Sequence, residues 1–122
     1  MTTGTLTSDG ALGRGAVERW VGTSAANTAQ TISTAATAAR RLLWAACHYS
    51  AAPTQTGVTT VLNSGAGSAY DTTLNTGTAN AQDTVYIPTQ DLIILPDDTI
   101  DVTGPAAGGT ITSSIIIVTE LL

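Results

Sequence analysis

The residues of this chain with chemistry to offer are few, and they gather in three places. Cys47-His48-Tyr49 holds the only cysteine and the only histidine. Asp91, Asp97, Asp98 and Asp101 bring carboxylates together around a Pro96-Asp97-Asp98 turn. Gly104 to Gly109, Gly-Pro-Ala-Ala-Gly-Gly, has the composition of a loop able to approach an anion closely. Each falls short of a reactive site. A thiolate–imidazole pair needs Cys and His side by side, but adjacent strand residues point to opposite faces, and there is no second His. Zinc asks for three or four soft ligands, which leaves only a site on a trimer axis with one His48 from each copy. The aspartates could hold Ca²⁺, yet the twelve-residue loop with its bidentate Glu is absent, and Pro-Asp-Asp is ordinary turn material. A phosphate cradle runs from strand through glycines to a helix with Lys; here a strand follows, and the chain has no Lys. The sequence therefore predicts no enzyme: no catalytic residue, no metal and no cofactor, with Cys47 a small core hydrophobe.

Composition narrows the remaining classes. At 122 residues the chain is one domain at most. With no Phe, two Trp and three Tyr among abundant Ala, Thr, Gly and Ser, its core is thin, since each methyl-sized side chain buries little at ~25 cal/mol per Å². Association with copies of itself or with a lattice is expected to supply part of the stability. The net charge is −5, and the four cations are Arg14, Arg19, Arg40 and Arg41. That balance argues against nucleic acid as a partner, and it disfavours an anionic membrane surface. The opening residues lack a basic segment and an apolar segment, so a cytosolic origin is expected. No apolar run reaches the ~20 residues of a membrane-spanning helix.

The elements that would position any site are strands. Val85-Tyr86-Ile87, Leu92-Ile93-Ile94-Leu95 and Ile115-Ile116-Ile117-Val118 are short apolar runs cut by Pro88, Pro96-Asp97-Asp98 and the Gly104–Gly109 loop. Upstream, Thr28–Thr34, Arg40–Ser50, Val58–Asn63, Ala69–Leu74 and Thr99–Thr103 also read as strands. The expected fold is all-β: a single antiparallel β-sandwich of seven or eight strands with jelly-roll or Greek-key connectivity. Residues 1–24 read as an extended N-terminal arm and 25–122 as the sandwich domain. In Arg40–Ser50, alternation puts Leu42, Trp44, Ala46 and His48 on one face and Leu43, Ala45, Cys47 and Tyr49 on the other. In the closing strand Ile111, Ser113, Ile115 and Ile117 share a face, and Ile116 and Val118 lie opposite. Strands apolar on both sides point to a subunit contact.

The run Arg40 to Thr54, a strand ending in Tyr-Ser-Ala-Ala-Pro-Thr, resembles small virion proteins of tailed bacteriophages. A Gly-bearing hairpin over Val58–Leu74, the Pro-punctuated Ile87-Pro88, and Ala106-Ala107-Gly108-Gly109 before Ile111–Val118 follow in the same order. The resemblance covers residues 28–120, and the chain departs from it in a longer Thr-rich middle, Asn75 to Thr84. It implies a capsid decoration (cement) protein of jelly-roll type, a homotrimer on the major capsid protein lattice of the virion, assembled in the host cytoplasm, with the arm reaching along neighbouring subunits.

Trp20 either tucks under the body or docks with the arm on a neighbour; in the second case Arg14, Arg19 and Trp20 are the expected arm contacts, because Arg and Trp are enriched at interface hot spots, and Ile116 and Val118 are the expected contacts on the sheet. The alternative is a tail-fibre, receptor-binding or carbohydrate-binding sandwich, using loops such as Ser64–Ser68 and Gly104–Gly109, with Tyr70 the one aromatic residue near a hairpin edge.

Overall fold

A computed structural model of the chain describes residues 2–8 and 15–122. Their strands are β1 (Thr2–Thr3), β2 (Thr5–Ser8), β3 (Val17–Thr23), β4 (Gln30–Ser33), β5 (Arg40–Tyr49), β6 (Thr59–Asn63), β7 (Thr72–Thr76), β8 (Asp83–Tyr86), β9 (Ile93–Ile94), β10 (Thr99–Gly104) and β11 (Ser113–Leu121). One sheet has the order β1-β4-β10-β6-β7; the other runs β2-β3-β11-β5-β8, with β9 also on β5. Without the two-residue β1 and β9 and the added edge strand β2, eight strands remain. Numbered along the chain, they run 2-7-4-5 in the first sheet and 1-8-3-6 in the second. This is the order left when one long antiparallel hairpin is rolled up, the jelly roll. The parallel pairing of β1 with β4 is the departure from an antiparallel arrangement.

The division into arm and body does not hold at residues 17–23. Val17–Thr23 is the first jelly-roll strand, paired along its length with β11 on one side and with β2 on the other. Residues 2–8 add a strand to each sheet. The cause is packing: Trp20 lies in the core at 3% exposure, and its indole Nε1 donates to Thr119 Oγ1 at 3.0 Å. Gly22 lets Ile32 of the facing sheet pass so close that a Cβ there would sit 2.2 Å from Ile32 Cδ1. Gly22 thus serves a strand pressed against its partner sheet.

The core lies between the sheets. Leu42, Ala45, Cys47, Tyr49, Ile115 and Ile117 from the six-stranded sheet face Ile32, Ile100 and Val102 from the other. Ile115 and Ile117 point inward with Ser113, as alternation in β11 requires. In β5 the alternation breaks once. The β5–β11 register shifts between Val118 and Thr119, which pair with Trp44 and Leu42. This bulge at Leu43 returns Leu42 to the inner face beside Ala45, correcting the expectation that Leu42 shares a face with Trp44.

One end of the core is polar. Arg40 Nε donates to Glu18 Oε1 at 2.8 Å, with both side chains almost fully buried. Thr119 Oγ1 donates to the same oxygen at 3.1 Å. The guanidinium lies 5.0 Å from the Trp20 ring centre and donates to the Ala35 and Ala38 carbonyls. Four side chains on β3, β5 and β11 thereby fix those strands to each other and to the 34–39 connection. A buried ion pair recovers its desolvation cost only when its remaining donors and acceptors are met, as happens here.

Candidate binding surfaces

The Cys47-His48-Tyr49 triplet is divided between two faces. Cys47 is buried, and burial pushes its thiol up to about 11. Tyr49 is buried beside it, and burial together with the neighbouring Cys47 raises its phenol to about 12. The Tyr49 hydroxyl donates to the Pro105 carbonyl at 2.9 Å, so both groups stay protonated and serve as packing. His48 points outward, its Nδ1 2.5 Å from Asp83 Oδ1.

The aspartates are also separated by role. Asp101 is buried and accepts from Asn63 Nδ2 and Thr99 Oγ1, each at 2.8 Å. Asp91 lies 3.6 Å from Arg41 Nε. Only Asp97 and Asp98 share a site, and they share it with a different loop. The Gly65 amide donates to Asp98 Oδ1 at 2.8 Å, and the Ser64 amide donates to Asp71 Oδ1 at 2.8 Å. A Cβ at Gly65 would stand 2.6 Å from Asp97, so glycine is needed for the loops to meet. Together residues 64–66 and 95–98 line a cleft of about 480 Å³. The 3-10 turn Ser68–Tyr70 continues the same loop and presents Tyr70 at 68% exposure. This end of the sandwich therefore carries one exposed aromatic ring, the apolar edge of Leu95 and the carboxylates of Asp71, Asp97 and Asp98. A ring stacks on an apolar ligand face, and carboxylates accept strong hydrogen bonds from cations.

The Gly104–Gly109 loop lies at the opposite end, because β6 and β10 are antiparallel and place residues 63 and 99 together. A second cleft of about 560 Å³ opens along the sandwich edge, lined by Thr23, Ser24, Thr28, Gln30 and Thr31 with Val21 and Ile32. It contains no aromatic or ionisable side chain.

The outer face of the six-stranded sheet is a third surface. Register aligns Val21, Ile116, Ala46 and Val85 in one row across β3, β11, β5 and β8. The next row holds Arg19, Val118 and Trp44. Val85 is 59% exposed and Ile87, two residues on, 66%. Of the expected interface residues, Arg19 and Ile116 lie on this face with access to solvent. Val118 is on it too, but only 4% exposed between its neighbours. Trp20 faces the core instead, since it alternates with Arg19, and Arg14 lies outside the described residues. Sequence reasoning did not pair the 64–71 loop with residues 95–98. Their contact depends on which strands share an end, and no local pattern encodes that.

No protein-family model matches the sequence, and no curated protein matches it. Among solved structures, the chain is similar to chitosan-binding module 1 derived from a chitosanase/glucanase of Paenibacillus sp. IK-5, with a TM-score of 0.51 and 19% identity over 82% of this chain and 74% of that one. A selenomethionine-labelled mutant of the same module gives a TM-score of 0.53 and 16% identity over 84% and 75%. At these identities the likeness is one of fold: both are β-sandwiches.

Proposed function

We propose that this protein is a non-catalytic binding module for carbohydrate, with the cleft lined by residues 64–66 and 95–98, and Tyr70 on the turn that continues the first of these loops, as its ligand site. The observation that carries this reading is Tyr70, a solvent-facing ring beside carboxylates at the loop end of a jelly roll. The aromatic face stacks on the apolar side of a pyranose, as protein rings stack on other flat apolar surfaces. Asp71, Asp97 and Asp98 favour a sugar polymer that carries ammonium groups, because charge-assisted hydrogen bonds are about twice as strong as neutral ones. The resemblance in fold to a chitosan-binding module supports the same ligand class. Affinity electrophoresis of the purified protein through chitosan and through an uncharged glucan tests it. Retardation by chitosan alone, reduced by added salt and by Tyr70→Ala, is expected. Equal mobility in both gels, or retardation insensitive to Tyr70→Ala, overturns the assignment.

A second reading, a decoration protein on a bacteriophage capsid lattice, draws on the apolar outer face with Ile116 and on the sequence resemblance. Its arm contribution is reduced, because Trp20 is committed to the core. Copy number in purified virions discriminates: hundreds per particle support a lattice role, and absence from the particle ends it.

A further inference from the structure

We infer that the outer face of the six-stranded sheet is a two-fold interface between two copies of this chain. Its apolar centre is the row Val21, Ile116, Ala46, Val85 with Val118 and Trp44 beside it. Polar groups flank it at both ends along the strands. His48 with Asp83 lies at one end, and Arg41 with Glu120 at the other, 2.7 Å apart. An apolar middle with a polar rim is the anatomy of a protein interface. At ~4.8 Å between strands and ~6.8 Å between outward residues, four such residues on each of β3, β11 and β5 and three along β8 to Ile87 make a patch on the order of 500 Å² per copy. Two such patches reach roughly 1,000 Å², the size at which specific association begins.

The charges and register select a second copy as the occupant and fix its orientation. Consider a two-fold axis parallel to the strands, midway between β11 and β5. It lays β11 of one copy over β5 of the other and β3 over β8. Glu120 then meets the partner's Arg41, Ile116 the partner's Ala46, Val118 the partner's Trp44 and Val21 the partner's Val85. Every apolar residue of the two central rows is covered by an apolar one, Arg19 stays at the outer edge on β3, and the two Arg41–Glu120 pairs meet as four alternating charges with Asp91 beside each Arg41. An axis perpendicular to the strands would instead set His48 over Arg41 and Ser114 over Glu120. Face-to-face sheets cross at about 30°, which leaves the pairs nearest the axis in contact. Because a strand-parallel axis preserves strand direction, both Tyr70 clefts open toward the same side of the dimer.

Sedimentation equilibrium of the full chain from low micromolar to several hundred micromolar tests this interface. The expected result is a monomer–dimer equilibrium that Ile116→Asp weakens by at least about 100-fold. Arg41→Glu alone and Glu120→Arg alone each place like charges across the axis and are monomeric. An equimolar mixture of those two variants regains the dimer, because each copy then offers the charge the other lacks. Circular dichroism confirms that each variant is folded. A wild type that stays monomeric, one that forms trimers, a dimer indifferent to Ile116→Asp, or a charge-reversed mixture that fails to associate overturns the inference.

Discussion

The outward faces of the two sheets are built to opposite specifications. On the five-stranded sheet, register aligns Thr31, Thr103 and Thr59 across β4, β10 and β6. The Thr31 and Thr103 hydroxyls lie 2.8 Å apart and satisfy each other, and Asp101 on the same strand is held by Asn63 and Thr99. The corresponding row on the six-stranded sheet is Val21, Ile116, Ala46 and Val85. β-branched residues suit both sheets equally as strand formers, so the backbone does not explain the contrast. Threonine offers the strand propensity of valine with a hydroxyl that water can satisfy; valine and isoleucine offer it with a cost in water of ~25 cal/mol per Å². A chain that sets threonines at the centre of one face, and valine and isoleucine at the centre of the other with Thr5, Thr7 and Thr23 only toward its edges, has one sheet suited to solvent and one suited to a cover.

The largest effect is expected beneath the apolar face. Glu18→Ala leaves Arg40 charged, buried and short of its carboxylate, and should lower unfolding free energy by about 3–5 kcal/mol in urea titrations. Thr103→Val on the other sheet, which removes a half-buried hydroxyl pair, should cost about 1 kcal/mol or less. Equal losses for the two would dissolve the contrast. Next in size, Ile116→Asp should abolish self-association at concentrations where Thr103→Asp leaves it intact, a difference of about 2.7 kcal/mol for 100-fold. Sedimentation of both variants at one concentration makes the comparison. Smaller again, Tyr70→Ala at the loop end should weaken chitosan binding about 10-fold, or ~1.4 kcal/mol, with no change in thermal midpoint. A fall in the midpoint would show that the ring supports the fold.

Alkaline pH separates the inner side of β5 from its outer side. Cys47 titrates at about 11 in the folded chain against a reference of 9.0, and Tyr49 at about 12 against 10.0. Both pKa values are raised, so their stabilising contribution is complete below pH 9 and is lost as pH climbs through 11 to 12. Unfolding free energy should therefore be level up to about pH 9 and decline above it, and Cys47→Ala should flatten the first part of that decline. A slope unchanged in Cys47→Ala would place the alkaline sensitivity elsewhere.

The strands with their own pattern were legible in the sequence. Ile115 and Ile117 alternate with Ile116 and Val118, and β11 keeps that alternation throughout its apolar run. Pro88, Pro96 and the Gly104–Gly109 loop bound the neighbouring strands where turn chemistry requires. What was not legible depends on partners far away. Val17–Thr23 looks like an arm because Gly22 and two charges interrupt it; it becomes a strand because Trp20 finds Thr119 and Glu18 finds Arg40. The bulge at Leu43 leaves no mark in the sequence, since a one-residue slip in an apolar run reads as apolar either way. The carboxylate cleft was half visible: its aspartates and Tyr70 stood out as letters, but only the jelly-roll order brings the 64–71 and 95–98 loops to one end.

β11 sits between β3 and β5, so the first and third jelly-roll strands never touch except through the last. On a ribosome, every segment up to residue 112 emerges while the slot between them is empty. The nascent chain then displays two bare edges lined by Trp20, Leu42 and Cys47, with Glu18 still lacking the hydroxyl of Thr119. Completion of this sheet consequently waits for delivery of a single nine-residue strand. Stalling synthesis just short of Ser113 should leave a protease-sensitive chain that a synthetic peptide of residues 113–121 can complete.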